Sequence, residues 1–174
     1  PKSLLNTIYS RCQVINIPAL SVSDLNDWLI SKGITDVNAT DFPSFISPLK
    51  IIDDLENNSH LIFKEFIQII TNYLLNKSDI NSTMKLIISL DVSLVMKLNY
   101  LIEFLKIILK SKLLSENLSG IYKSFNDSVF NNLKISNLIN DLNNVRHDYF
   151  KVPQINETHV LNYFLSEVKN SIKI

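Results

Sequence analysis

Glycine is nearly absent from this 174-residue chain, occurring only at Gly33 and Gly120. That scarcity excludes a glycine-rich phosphate-cradling loop and argues against sheets built from tight hairpins, because both need backbone at positive φ. Cysteine is scarcer still. The one thiol, Cys12, cannot pair within the chain, and His60, His147 and His159 show no ligand spacing with it. No disulfide and no metal site are therefore expected. A lone Cys can serve as a nucleophile with a distant His, but a small thiol beside a strand is more often a packing residue. Charge of one sign is also missing: Lys plus Arg and Asp plus Glu each number 17, so nothing draws the whole chain toward nucleic acid, an anionic membrane or an acidic substrate.

Long uninterrupted apolar runs are lacking as well. Lys64, Glu65 and Gln68 break the stretch from Leu61 to Leu75, and Lys97, Glu103, Lys106 and Lys110 break the one from Leu90 to Leu114. No membrane span is expected. The opening residues Pro1-Lys-Ser-Leu-Leu5 show no basic region feeding an apolar segment, and the expected location is the cytoplasm.

What the chain does have is helical periodicity, with 46% hydrophobic and 20% charged residues. Residues 11–17 are short, β-branched and closed by Pro18, which predicts a single strand. Ser21 with Asp24 predicts a capped helix carrying Leu25, Trp28 and Leu29 on one face, with Gly33 as its stop. Ser47-Pro48 predicts a second helix start, ahead of Leu49, Ile51, Ile52 and Leu55. Beyond residue 58 the helices lengthen. Leu61, Phe63, Phe66, Ile67, Ile70 and Tyr73 mark one stripe, and Asp91 to Leu114 is apolar around most of its circumference. Ile135, Leu138, Ile139 and Leu142 mark another, and Leu161, Phe164, Leu165 and Val168 a last one capped by Asn156. Adjacent Asp53 and Asp54 diverge around a helix and predict a solvated face. Lys97, Lys106, Lys110 and Lys112 form a modest basic patch that reads as another solvated face.

The string Leu4-Leu5-Asn6-Thr7-Ile8-Tyr9-Ser10-Arg11-Cys12-Gln13 resembles the end of the ATPase domain in bacterial clamp-loader subunits. That family carries a leucine pair, a Thr-Ile step and Ser-Arg-Cys; Asn6 stands where a proline is common. The resemblance implies an all-α chain behind a short strand remnant of an AAA+ domain, with boundaries at 1–18 for that remnant, 19–58 for a three-helix lid and 59–174 for a helical collar. It also implies that Arg11, flanked by Ser10 and Cys12, acts as an arginine finger on ATP bound by the neighbouring subunit, with no cofactor in this chain. A guanidinium fork suits charge developing on a transferred phosphoryl group.

A second motif, Phe45-Ile46-Ser47-Pro48-Leu49-Lys50, is similar to the Gly-Ser-x-Arg start of a lid helix, with Ile46 for Gly and Leu49 for the nucleotide-sensing Arg. This departure points to the delta prime branch, as does Ile155-Asn156 before a leucine-rich final helix. The implied partners are the gamma or tau and delta subunits in a hetero-pentamer, and through it the sliding clamp and primed DNA, within DNA polymerase III, a nucleotidyltransferase. Apolar faces of the 91–114 helix are candidates for collar contacts, the alternative being that they are simply core. A gamma or tau ATPase fragment and an unrelated helical adaptor are the alternatives.

Overall fold

In the computed structural model, residues 21–149, 151 and 155–173 are described. The strand expected over 11–17 lies outside them. Helix α1 (Val22–Ser31) starts where the sequence places it: Ser21 Oγ accepts the Asp24 N–H at 3.1 Å and Asp24 Oδ2 accepts the Ser21 N–H at 3.2 Å. It stops at Gly33, whose φ of 76° is the left-handed conformation that glycine adopts without strain. The Ile34 N–H then returns to the Leu29 carbonyl at 3.0 Å.

A 3-10 turn, Ala39–Asp41, follows, capped by Asn38. Helix α2 (Pro48–Glu56) has Ser47 at its N-cap and Pro48 in the first turn as expected, but the Ser47 hydroxyl makes no capping bond. These elements close over a small apolar cluster of Leu29, Phe42 and Ile51, flanked by Leu25, Trp28, Ile34, Val37, Ile46 and Leu55.

The second, larger cluster belongs to a helical bundle. Helices α3 (Ser59–Leu74), α4 (Ile80–Ser89), α5 (Leu94–Leu114), α6 (Asn132–Asp148) and α7 (Glu157–Ser171) supply it, together with a 3-10 segment at Gly120–Phe125. Helix α5 runs through the middle, packed by α3 and α6. Leu98, Leu101, Phe104, Leu105 and Ile108 are fully buried. Its start falls at Leu94 rather than Asp91 because Ser93 Oγ accepts the Met96 N–H at 3.3 Å, ending the turn through Leu90 and Val92. Asn156 caps α7 by accepting the His159 N–H at 3.1 Å, the bond the sequence predicts.

The described residues are thus predominantly helical. The only sheet among them is an antiparallel ribbon of β1 (Val129–Phe130) and β2 (Ile172–Lys173), pairing Val129 with Lys173 and Phe130 with Ile172. Two-residue strands leave no alternation to read, so the sequence gives no warning of it.

Gly120 ties the bundle to the 3-10 turn of the first cluster. Its φ is 55°, and a Cβ placed on it would overlap the Thr40 hydroxyl oxygen. Gly120→Ala is expected to cost about 3 kcal/mol, from left-handed strain together with overpacking. In a double-mutant cycle by urea denaturation, Thr40→Ala should recover about 1 kcal/mol of that loss. Strict additivity would show that the two residues do not press on each other.

Candidate functional site

Ser10, Arg11 and Cys12, the residues to which the resemblance assigns chemistry, lie outside the described residues. The second motif lies within them. Ile46 is half-buried against the first cluster, whereas Leu49 points outward at 80% exposed and Lys50 is exposed. Phe45, Leu49 and Ile52 are all exposed, spaced four and three residues apart. The position likened to a nucleotide-sensing Arg is therefore an outward-facing, uncharged side chain at the start of α2.

A group of ionisable side chains sits where the first cluster meets the bundle. Asp41, from the 3-10 turn, is buried; its Oδ2 accepts the Asn38 N–H at 3.0 Å and its Oδ1 lies 3.4 Å from Lys64 Nζ on α3. Glu103, buried on α5, accepts the Ser44 N–H at 3.0 Å across the joint. The Tyr122 hydroxyl is buried with no hydrogen-bond partner. Burial above all, then the Glu103 and Asp41 charges, pushes it far above the ordinary phenol range, which favours the neutral O–H. His60 packs on Phe42, ring centroids 5.4 Å apart, with Nδ1 3.3 Å from the Asp54 carbonyl oxygen. Asp54 is raised from the usual aspartate value chiefly by burial, against the lowering effect of His60. These contacts join elements together, and each charged atom named here is turned toward backbone or an opposite charge.

The basic patch comes apart in the structure. Lys97 is buried, with Nζ 2.9 Å from Glu157 Oε1 and 3.3 Å from the Ile88 carbonyl oxygen. Lys112 Nζ lies 3.4 Å from the Asn126 carbonyl oxygen and 5.2 Å from the centre of the Phe130 ring. Only Lys106 and Lys110 remain as an exposed pair without such contacts in view, too little for a phosphate-tracking surface. Helix α5 likewise buries most of its apolar circumference inside the chain, leaving Leu113 and Leu114 exposed at its end. Arg146 bridges α6 to α5, donating to Asn99 Oδ1 at 2.7 Å and Asn143 Oδ1 at 2.9 Å.

Among the described residues no cluster of His, Cys, Asp and Glu is arranged to hold a metal ion, and no helix is long and apolar enough to cross a membrane. Nothing local marks Glu103 as a contact across the joint beyond its being the one carboxylate of a helix whose other charged residues are lysines. No family model, curated protein or solved structure matches the chain.

Proposed function

We propose that this chain is the C-terminal part of a clamp-loader subunit of the delta prime type: the end of an AAA+ domain over 1–18, a lid over 19–58 and a collar over 59–174. The observation that carries the reading is the string Leu4-Leu5 through Ser10-Arg11-Cys12-Gln13. In this reading the collar packs with its counterparts in gamma or tau and delta, and Arg11 reaches the ATP of a neighbouring subunit. There its guanidinium stabilises charge on the transferred phosphoryl group, an effect worth roughly a thousandfold in rate, or about 4 kcal/mol of barrier. ATP turnover by the neighbours then drives loading of the sliding clamp onto primed DNA.

The outward Leu49 supports delta prime over gamma or tau, since an ATP-holding subunit needs a cation at that position and Leu49 supplies none. The mostly helical fold with a small N-terminal cluster and a larger bundle is compatible with a lid followed by a collar.

Two measurements test the reading. In a loader reconstituted with gamma or tau and delta, Arg11→Ala in the full-length subunit should depress ATPase severalfold while the complex still elutes intact from gel filtration. Unchanged ATPase removes the finger from Arg11. If the wild-type subunit recovers neither gamma or tau nor delta in a pull-down, the assignment fails and a helical adaptor is the better description.

A further inference from the structure

We infer that Glu103 is a positioning residue: its buried carboxylate fixes the orientation of the N-terminal helical module, residues 21–58, on the bundle.

The two apolar clusters are separate, so burial within each does not by itself set the angle between them. The joint is made by the 3-10 turn and the loop that runs from it to α2. Phe42 in that loop packs on His60 of α3, ring centroids 5.4 Å apart, and three polar or close backbone contacts, each from a different bundle element, hold the turn and loop as well. Glu103 on α5 accepts the Ser44 N–H at 3.0 Å, Lys64 on α3 meets Asp41 at 3.4 Å, and Gly120 lies close against Thr40. Of these, the first is the most directional, because a backbone N–H bonded to a carboxylate is charge-assisted and weakens steeply as the N–H···O angle departs from linear. It is also partly shielded from water. The Asp41–Lys64 pair is weaker, since the Lys64 side chain is 45% exposed and free to swing. The Gly120–Thr40 approach sets distance, not direction.

Glu103 is placed for this task by its helix. It stands at the middle of α5, between the fully buried neighbours Leu101 and Phe104 on either side of the turn, so its own backbone is held by the bundle core. A lone carboxylate buried in that setting is costly unless it is hydrogen-bonded, and the bond it makes is to a loop fifty-nine residues away in sequence. The inference concerns the geometry of this chain alone and stands apart from the clamp-loader reading.

The test uses amide exchange and NMR relaxation on the chain carrying Glu103→Ala or Glu103→Gln. With alanine, protection of the Ser44 amide should fall about tenfold or more, and residues 21–58 should tumble with a rotational correlation time different from that of α3 to α7. With glutamine, whose side-chain oxygen still accepts the Ser44 N–H, single-body tumbling and Ser44 protection should return. Uniform tumbling in the alanine variant overturns the inference, because apolar contacts would then suffice to orient the module. It is equally overturned if the core amides of Leu101 and Leu105 lose protection in step with Ser44, since Glu103 would then be a general stabiliser of the bundle.

Discussion

Phe104→Ala is expected to lower the unfolding free energy by about 4 kcal/mol, in the range for a fully buried aromatic truncated to a methyl group. Phe104 is completely enclosed at the centre of α5, with Phe125 edge-on at a centroid distance of 5.3 Å and Tyr122 tilted at 6.2 Å. Both partners come from the 3-10 segment Gly120–Phe125 and are themselves buried. The cost therefore includes a cavity as well as lost transfer energy. Urea denaturation followed by circular dichroism checks it: the midpoint should drop with the slope unchanged. Phe104→Leu, which keeps most of the volume, should cost about 1.5 kcal/mol. A loss of less than about 1 kcal/mol for the alanine variant would mean that the core around the 3-10 segment repacks freely.

Glu157→Ala is expected to cost about 3 kcal/mol, because it strands a cation rather than because it deletes a salt bridge. The Lys97 side chain is 3% exposed, and its ammonium group meets the Glu157 carboxylate and the Ile88 carbonyl. Three helix ends converge there: the first turn of α5, the first residue of α7 and the last turn of α4. Glu157 at the positive end of α7 and the Lys97 ammonium beside an outgoing carbonyl of α4 each suit that helix's dipole, although Lys97 also stands in the first turn of its own helix, where a cation is disfavoured. With Glu157 gone, the buried ammonium group keeps one carbonyl acceptor and no counter-charge. Replacing both partners, as Lys97→Met with Glu157→Gln, should recover most of the loss, since a well-packed neutral pair avoids the desolvation penalty. Thermal denaturation of the single and double variants decides it. A double variant as unstable as Glu157→Ala alone would show that the pair's worth is packing, not charge.

The helices were legible where a local signal fixed them. The Ser21–Asp24 capping box, the Gly33 stop and the Asn156 cap each act within four residues, and each is found as read. Helix α5 was legible as a buried helix from its near-continuous apolar circumference, although its start moved because Ser93 offers a cap that Asp91 does not. Other features depended on residues distant in the chain. Lys97 looks like a surface lysine until α7 brings Glu157 to it from sixty positions away. Glu103 looks like one of the charges that interrupt an apolar stretch until Ser44 turns an amide toward it. Periodicity reports which side of a helix is apolar, but not which neighbour will neutralise a charge on the other side. The site implied at Ser10, Arg11 and Cys12 rests on sequence alone, since it lies outside the described residues.

The separation of the apolar residues into two clusters also divides the chromophores. Trp28, the sole tryptophan of the chain, flanks the small N-terminal cluster, whereas Tyr73, Tyr100 and Tyr122 are buried in the bundle. Red-edge excitation, which tyrosine does not absorb, therefore watches the smaller core by itself, while far-ultraviolet dichroism is dominated by the longer helices. The two signals can be followed through one titration, so the protein carries its own unlabelled readout of whether its parts melt together or one before the other.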